Sequence, residues 1–324
     1  MLLDIAFFIT ATIVLAVSGY GSVKYLTKLA MFLKTSTFVL GFIVMGIITS
    51  LPELFVSINA GLIKNSALAL GTIMGANIAD LTLIGGITVL LARFIRVREK
   101  ILQKNTARML YVALLFLILG FLGNGFSRID GAILILAFIV YAIYMFKESR
   151  RYKKEVEDHI TRFSSVLYTV LFLASVAALF ISSTYVAKYG TIISIELNLP
   201  PIFIGLFFIA LGTTLPELVF SIEAIRQKQP EMAIGDLIGS VVANSTIIIG
   251  TAALISPIYA NFLLFLTSAA FMLVCVFLFF SFMVSSKHLD WREGLALLLF
   301  YVLFLIVELS LSGKIGMQSA VLIH

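Results

Sequence analysis

The sequence predicts an all-α integral membrane protein with ten transmembrane helices, arranged as two inverted five-helix repeats. Three observations predict this fold class. Of the 324 residues, 61% are apolar and only 12% are charged, with a mean hydropathy of +1.11, whereas soluble domains carry about 25% charged residues. The apolar residues form continuous runs that are long enough to span a bilayer. One motif occurs twice, at a constant offset along the chain.

The apolar residues fall into ten runs, which are separated by charged residues or by glycine and proline. A spanning helix needs about 20 apolar residues, whereas strands of a transmembrane barrel alternate in polarity over about 10 residues. Because the runs are continuous and longer, they predict helices. No basic segment precedes the first run, which favours an uncleaved helix over a signal peptide. In chain order, the predicted spans are 4–22, 36–62, 66–91, 106–123, 129–146, 164–187, 200–225, 231–254, 260–284 and 292–311.

The distribution of lysine and arginine predicts the orientation of these spans. Loops on one side of the predicted membrane hold 19 of the 23 basic residues, and the opposite loops hold only Lys64, Arg128, Lys188 and Lys314. Because basic residues concentrate in cytoplasmic loops, the richer side is predicted to be cytoplasmic and both termini to be extracellular. We therefore expect a multi-pass protein of the cell membrane, with its basic face on anionic lipid headgroups.

A charged linker and an internal repeat define the domain organisation. The first five-helix half is 1–146, the cytoplasmic linker is 147–163, and the second five-helix half is 164–324. Each half holds one copy of the repeat, at about 46–86 and about 210–250.

The two copies of the repeat align without a gap. Thr-Ser-Leu-Pro-Glu-Leu at 49–54 aligns with Thr-Thr-Leu-Pro-Glu-Leu at 213–218, and 16 of the 38 positions in 49–86 are identical to their partners. We term the shift along the chain that relates Thr49 to Thr213 the repeat offset. The loop after the second span is predicted outside and the loop after the seventh inside, so the copies cross the membrane in opposite directions. Inverted repeats with a central site are a design of secondary transporters.

Glu53 and Glu217 are predicted to lie deep in the second and seventh spans. A carboxylate at this depth is costly and is by default a functional hypothesis. A proline precedes each glutamate, and because proline lacks an N–H, the carbonyl groups of Ile48 and Gly212 lose their helical partners. In each copy of the repeat, carbonyl groups, threonine hydroxyls and a carboxylate are thus predicted to lie within about one helical turn of each other. Such an all-oxygen environment suits hard cations such as Ca²⁺ or Na⁺.

The third and eighth spans add further polar residues. Asp80 and Asn244 are equivalent positions near the middle of these spans, and Ser240 lies one turn before Asn244 on the same helical face. The equivalent of Ser240 is Ala76. Asp236 lies nearer the predicted cytoplasmic end, and the sequence leaves it open between lining an ion pathway and starting a solvated helix. Glycines spaced by four residues in both copies predict close helix packing.

Other functional classes are disfavoured by the sequence. The single cysteine excludes an intrachain disulfide framework and a multi-cysteine metal site, and no basic module with interleaved aromatic residues indicates nucleic-acid binding. An intramembrane serine protease would need a membrane-embedded histidine, but all three histidines lie in charged stretches or at the end of the chain. A channel is disfavoured because shared carboxylates bind ions too strongly for free conduction. There is no ATP-binding P-loop, so ion gradients would drive transport.

These motifs resemble those of the cation/calcium exchanger superfamily, and the prokaryotic sodium/calcium exchangers in particular. The pattern T-[ST]-L-P-E followed by G-x-[IL]-[IM]-G-[AS] is present twice, and the resemblance covers essentially the whole chain. It implies ten helices in two inverted halves, with a Ca²⁺ site at Glu53, Glu217, Thr49 and Thr213. It further implies Na⁺ and shared polar sites at Gly46, Ser50, Asp80, Ala210, Thr214, Ser240 and Asn244.

The sequence departs from the family pattern in two ways. Residue 76 is alanine where the family usually has serine, which removes a hydroxyl from one implied sodium site. The acidic and amide members of the Asp80/Asn244 pair are exchanged relative to many prokaryotic members, so the three acidic groups are placed in a mirrored arrangement.

The sequence therefore predicts a secondary antiporter, and not an enzyme, that exchanges Ca²⁺ for Na⁺ by alternating access. Shared ligands would make occupancy by the two ions mutually exclusive, as exchange requires. Antiport of Ca²⁺ or another cation against H⁺ is the alternative, and a cation channel or an intramembrane enzyme is the alternative from a different class. The expected partners are the transported Ca²⁺ and Na⁺ ions and the lipid bilayer, without a cofactor or nucleic acid. A monomer is expected, with an oligomer left open.

Overall fold

The computed structural model describes residues 2–32, 46–96, 100–149, 162–197, 199–259, 262–285 and 288–321. Helices account for almost all of these residues, and four strands of two or three residues account for the extended ones. The all-helical class predicted from the apolar runs is therefore confirmed. Most of the predicted linker at 147–163, and the beginning of the predicted span at 36–62, lie outside the described residues.

The first half combines long continuous helices with shorter interrupted ones. In chain order, its described elements are α1 (Leu2–Phe32), α2 (Gly46–Thr49), α3 (Leu51–Leu62), α4 (Ser66–Ala79), α5 (Gly85–Ala92), β1 (Phe94–Arg96), α6 (Lys100–Leu122), β2 (Gly125–Phe126) and α7 (Arg128–Ser149). A π-helical turn at Asp80–Ile84 joins α4 to α5.

The second half repeats this order. Its described elements are α8 (Arg162–Glu196), α9 (Pro201–Ile204), α10 (Ala210–Thr213), α11 (Leu215–Arg226), α12 (Pro230–Ala243), α13 (Ile249–Ile255), β3 (Ile258–Tyr259), α14 (Phe262–Ser285), β4 (His288–Asp290) and α15 (Trp291–Val321). π-helical turns at Gly205–Ile209 and Asn244–Ile248 join α9 to α10 and α12 to α13.

Nine helical segments in the described part of the chain are long and apolar enough to cross a membrane. They correspond to nine of the ten predicted spans. The remaining span, predicted at 36–62, is represented by α2 and by α3, an apolar helix of 12 residues, and its first part lies outside the described residues. The chain is thus a multi-pass membrane protein, and the count of ten stays a prediction.

The short strands connect the two halves of the chain. β1 pairs with β4 and β2 pairs with β3, both antiparallel, so that Ile95 lies opposite Leu289 and Phe126 lies opposite Ile258. Because α6 separates β1 from β2 by its whole length, the two ladders lie at opposite ends of the helices. The repeat offset equates β1 with β3 and β2 with β4, so the two ladders are equivalent to each other.

Long helices also pack against the helices that occupy the equivalent positions in the other half of the chain. α1 packs against α8, and α6 packs against α14. The contact of α5 with α15 is repeated by the contact of α13 with α7, and these two contacts are related to each other by the repeat offset. The contacts of one half are therefore repeated by the other, as expected for two copies of one unit packed against each other.

The segments that carry the repeated motif form the buried centre of the protein. Ser66–Ala92, Pro201–Arg226 and Pro230–Ile255 are largely buried, whereas none of residues 164–178, in the first part of α8, is buried. A helix that is apolar on all sides is either buried in protein or exposed to lipid. The polar residues distinguish the two cases here, because the central segments hold the buried acids and amides while α8 exposes apolar side chains such as Val170.

Candidate cation-binding site at the helix breaks

The two copies of the Pro-Glu motif interrupt their helices at equivalent positions. α2 ends at Thr49 and α3 begins at Leu51, with Ser50 between them at φ −81° and ψ 8°. In the second copy, Thr214 takes this place between α10 and α11, with φ −84° and ψ 0°. The two breaks are thus equivalent in conformation as well as in sequence.

Proline is the cause of each break. Pro52 has no N–H, so the carbonyl group of Ile48 lacks the donor that a continuous helix would supply. Helical bonding then resumes, because the N–H of Leu54 donates to the carbonyl of Ser50 at 3.1 Å, and the second copy repeats this pattern. Open backbone carbonyls at membrane depth are tolerated where they are buried in protein or line a cavity. The breaks therefore provide backbone oxygens in the interior of the membrane.

Glu53 and Glu217 lie in the first turns of α3 and α11, directly after the breaks. Both side chains are 0% exposed, and none of their carboxylate oxygens has a hydrogen-bond partner among the described residues. Thr213, from the other copy, is the polar neighbour of Glu53, although its hydroxyl donates to the carbonyl of Ala210 at 3.1 Å. Because a buried carboxylate without partners is strongly disfavoured, these oxygens indicate a binding place for a cation or a proton.

Asp80 and Asn244 each begin one of the two equivalent π-helical turns. Both are completely buried, and in the part of the chain that the structure describes, no oxygen or nitrogen of either side chain has a hydrogen-bond partner. The charge of Glu53 acts on both Asp80 and Glu217, so the structure brings these predicted site residues together. π-helical turns within α-helices are frequent at functional sites.

Asp236 and Ser240 join the site through Thr49. The Thr49 hydroxyl donates to Asp236 Oδ1 at 3.1 Å and lies 3.0 Å from Ser240 Oγ. Asp236 is completely buried, so it does not begin a solvated helix, which was one of the two interpretations left open by the sequence. Its charge interacts with that of Glu53. The structure thus adds a fourth acidic residue to the site, one that the sequence reasoning had not assigned.

The side of the site around Thr213 differs from the side around Thr49. The repeat offset places Thr72 at the position equivalent to Asp236, and Ala76 at the position equivalent to Ser240. The Thr72 hydroxyl donates to the carbonyl of Leu68 in its own helix at 2.9 Å. The two sides are therefore unequal in both charge and number of hydroxyls.

Small residues bring the broken helices close to their neighbours. A Cβ atom on Gly46 would lie 2.5 Å from the carbonyl carbon of Gly239, and a Cβ atom on Gly75 would lie 2.2 Å from the carbonyl oxygen of Leu206. A Cβ atom on Gly75 would also lie only 2.8 Å from the Cβ atom of Ala210. Gly75 and Gly239 belong to the glycine pairs for which the sequence predicts close packing, so this prediction is confirmed at both breaks.

Two of the predicted hydroxyl ligands bond to the backbone of their own helix. The Ser50 hydroxyl donates to the Gly46 carbonyl at 2.9 Å, and the Thr214 hydroxyl lies 3.5 Å from the Leu211 carbonyl. Both side chains are buried. Each hydroxyl keeps a lone pair that could bind a cation.

Ser57 and Ser221 are polar residues of the site region that the sequence reasoning did not single out as ligands. They are equivalent positions, each one helical turn beyond its glutamate, and each hydroxyl is buried without a hydrogen-bond partner in the described ranges. Their identity in both copies and their spacing of four residues from the glutamates were the signal that could have identified them.

Carboxylates alone do not form a metal centre here. Within the ranges that the structure describes, no three or more His, Cys, Asp or Glu side chains are grouped so that they could hold a metal ion. A cation between the breaks would therefore be bound by carboxylates together with hydroxyl and backbone oxygens. Ca²⁺ takes about six to eight oxygen ligands of these mixed kinds.

Comparison with protein families and curated proteins gives matches over both halves of the chain. The family model of the sodium/calcium exchanger proteins matches residues 3–147 and 167–309. The chain is 31% identical to the inner membrane protein YrbG of Escherichia coli over 228 residues, which cover 68% of this chain and 70% of YrbG. It is 28% identical to the sodium/calcium exchanger MaX1 of Methanosarcina acetivorans, with 88% of this chain and 92% of MaX1 covered.

Solved structures of the sodium-calcium exchanger NCX_Mj are similar over nearly the whole length. The structure soaked with 2.5 mM Na⁺ and 10 mM Sr²⁺ has a TM-score of 0.69 and 25% sequence identity, and the match covers 94% of this chain and 98% of that one. The structure soaked without Na⁺ and Ca²⁺ has a TM-score of 0.65 at the same identity.

Proposed function

The chain belongs to the sodium/calcium exchanger protein family, and on this premise we propose that it is a secondary antiporter that exchanges Ca²⁺ for Na⁺ by alternating access. One observation carries the proposal. Two equivalent helix breaks bring Glu53 and Glu217, completely buried and without hydrogen-bond partners among the described residues, into one polar cluster. Membership of an exchanger family indicates transport of ions and not catalysis.

We assign the Ca²⁺ site to Glu53 and Glu217, with the backbone carbonyl groups of Thr49 and Thr213. Two carboxylates would balance the two positive charges of the ion, and this balance is needed because unpaired charges are costly to bury. The carbonyl groups at interrupted membrane helices coordinate ions in other transporters of inverted-repeat design. The mixture of ligands agrees with the preference of Ca²⁺ for carboxylate and carbonyl oxygens.

The Na⁺ sites would share part of this ligand set. Because the same oxygens cannot hold Ca²⁺ and Na⁺ at once, occupancy would alternate between the ions. This competition couples the two fluxes. The residues assigned to Na⁺ and shared polar sites are Gly46, Ser50, Asp80, Ala210, Thr214, Ser240 and Asn244.

Alternating access would follow from the relation between the two halves. We propose ten spans in two inverted five-helix halves, with both termini outside the cell. The strand ladders support this arrangement, because each joins two loops that the charge distribution assigns to the same side. A rocking of one half against the other could then expose a central site to either side.

Antiport of Ca²⁺ against H⁺ is the second candidate. The observation that favours it is the presence of four buried carboxyl groups, on Glu53, Asp80, Glu217 and Asp236. Four negative charges exceed the two that one Ca²⁺ ion balances, so protons could supply the difference.

Transport by the purified protein in proteoliposomes tests the proposal. Ca²⁺ uptake is measured under an imposed Na⁺ gradient and, in a separate experiment, under an imposed pH gradient. We expect uptake driven by Na⁺ in the wild-type protein and none in Glu53→Gln. Uptake driven only by the pH gradient would make H⁺ the coupling ion, and lack of uptake under both gradients would refute the proposal.

A further inference from the structure

Asp236 is a buried carboxylate that the proposed Ca²⁺ site does not use. It is 0% exposed within α12, and its Oδ1 accepts a hydrogen bond from the Thr49 hydroxyl. Its Oδ2 has no hydrogen-bond partner among the residues that the structure describes. An unsatisfied carboxylate oxygen at this depth is costly, and a bound cation would remove the cost.

Three oxygen atoms from two helices meet at this point. Asp236 and Ser240 are separated by one turn and lie on the same face of α12, and Thr49 reaches them from the end of α2. Thr49 Oγ1 lies 3.1 Å from Asp236 Oδ1 and 3.0 Å from Ser240 Oγ. Oxygens at this separation can share one cation at ligand distances of about 2.3–2.6 Å, the range found for Ca²⁺, a hard cation of similar size to Na⁺.

The equivalent place on the other side of the site lacks a carboxylate. The counterpart of Asp236 is Thr72, and the counterpart of Ser240 is Ala76. Thr72 donates its hydroxyl hydrogen to the carbonyl of Leu68 in its own helix. A carboxyl group is thus present on the Thr49 side, where the other side has a neutral hydroxyl and a methyl group.

We propose that Asp236, Ser240 and Thr49 hold one Na⁺ ion, in a site that has no equal on the Thr213 side. This inference deepens the proposed Na⁺/Ca²⁺ exchange and rests on it. One carboxylate and two neutral hydroxyls balance a single positive charge, which fits a monovalent cation. The two sides of the site therefore bind Na⁺ unequally, and the Asp236 side binds it more tightly.

Na⁺ binding to the purified full-length protein tests this site directly. Na⁺-dependent thermal stabilisation is measured in Ca²⁺-free buffer, with choline chloride holding the ionic strength constant, and Ca²⁺ binding is measured by calorimetry. Asp236→Asn removes the charge but keeps the size of the side chain and an acceptor for Thr49. We expect the half-saturating Na⁺ concentration to rise about 10-fold or more, because a charged ligand of the ion is lost.

The Ca²⁺ affinity of the same variants shows whether an effect is specific to the Na⁺ site. In Asp236→Asn it should change much less than the Na⁺ affinity, since Asp236 contributes no ligand to the assigned Ca²⁺ site and acts on it only through its neighbours Glu53 and Thr49. Thr72→Val is the matched control at the equivalent position, and both affinities should stay at the wild-type values. Ser240→Ala removes a neutral ligand of the same site and should also weaken Na⁺ binding. If Asp236→Asn does not fold, unchanged Na⁺ binding in Ser240→Ala would still contradict the site.

Two outcomes would overturn the inference. Superimposable Na⁺ curves for the wild type and Asp236→Asn would reduce Asp236 to a structural acceptor for Thr49. Equal losses of Na⁺ and Ca²⁺ affinity would place Asp236 in the Ca²⁺ site instead. Failure of the wild-type protein to couple Ca²⁺ uptake to Na⁺ would refute the proposed function alone, because thermal stabilisation by Na⁺ still reports on this site.

Discussion

Individual residues of the central site place carboxyl groups where the membrane interior disfavours charge. Glu53, Asp80, Glu217 and Asp236 are all completely buried, and within the described ranges each has at least one oxygen without a hydrogen-bond partner. Charged residues within membrane spans pair with one another or mark ion pathways. Their convergence around two helix breaks is the basis for assigning ion binding to these side chains.

Neutralising either glutamate tests the assignment of Ca²⁺. Glu53→Gln or Glu217→Gln should weaken Ca²⁺ binding by about 30-fold or more, since loss of one partner from a buried charge interaction costs about 2–5 kcal/mol. Without Ca²⁺ the variants should unfold at or above the wild-type temperature, because an uncharged amide is less costly to bury. Calorimetry and thermal unfolding measure the two effects.

Glu223→Gln is the matched control for the glutamate variants, because Glu223 lies on α11 like Glu217 but is exposed. It should bind Ca²⁺ like the wild type. Wild-type Ca²⁺ affinity in Glu53→Gln or in Glu217→Gln would remove that residue from the proposed site.

Residue 76 tests the inequality of the two sides. Ala76→Ser restores the hydroxyl that its equivalent, Ser240, possesses, and a hard cation gains from an additional oxygen ligand. We expect a higher Na⁺ affinity, or a steeper Na⁺ dependence, with little change in Ca²⁺ affinity. Titration of Na⁺ against bound Ca²⁺ in both proteins measures this, and identical curves would show that residue 76 contributes only packing.

Helices and their interruptions determine where these residues meet. The prolines interrupt the helices, so that α2 and α10 end four residues before the glutamates. The glycines let these breaks lie directly against α4 and α12. Gly46 and Gly75 have no room for a Cβ atom, since neighbouring backbone atoms lie within 2.5 Å of its position. Close packing of these elements is therefore a condition for assembling the site.

Gly75→Ala tests this packing. The added methyl group would lie 2.2 Å from the Leu206 carbonyl oxygen, and we expect overpacking to lower the free energy of unfolding by about 1–3 kcal/mol. Gly61→Ala is the control, because its nearest neighbour, a side-chain atom of Ile255, is 3.4 Å away. Thermal unfolding in detergent compares the two variants, and equal stability of both would contradict the packing argument.

The whole molecule is organised by the relation between its two halves. Equivalent helices of the two halves pack against each other, and the repeat offset makes the two strand ladders equivalent to each other. This relation makes Glu53 and Glu217 equivalent residues, and the two side chains lie close enough to interact electrostatically. A central site between two related halves is the arrangement that alternating access requires.

Labelling of equivalent positions tests the proposed inversion of the halves. Ile63 and Gln227 are exposed residues at the ends of α3 and α11, and the repeat offset makes them equivalent. In intact cells, a membrane-impermeant maleimide should label Ile63→Cys directly and Gln227→Cys only after permeabilisation. The native Cys275 is buried, and the wild-type protein measures its background. Labelling of both variants from the same side would refute the inverted topology.

The sequence alone determined the membrane class, the repeat and the two glutamates. The apolar runs establish the membrane class because lipid admits only segments of this composition and length. Glu53 and Glu217 were identifiable because a doubled Pro-Glu motif in an apolar span is costly unless it serves a function. Each of these signals is local in the chain or repeats at a fixed offset, so periodicity and composition are sufficient to detect it.

Only the tertiary structure decided which polar residues face each other. Thr49 and Asp236 are far apart in the chain, and their hydrogen bond depends on how α2 lies on α12. The position of Asp236 along its span left its solvation open, because the depth of a residue in a helix does not specify the neighbour that covers it. The contact of Gly46 with Gly239 sets that neighbour. The burial of Asp236, and with it the inequality of the two sides, therefore comes from helix packing and not from sequence pattern.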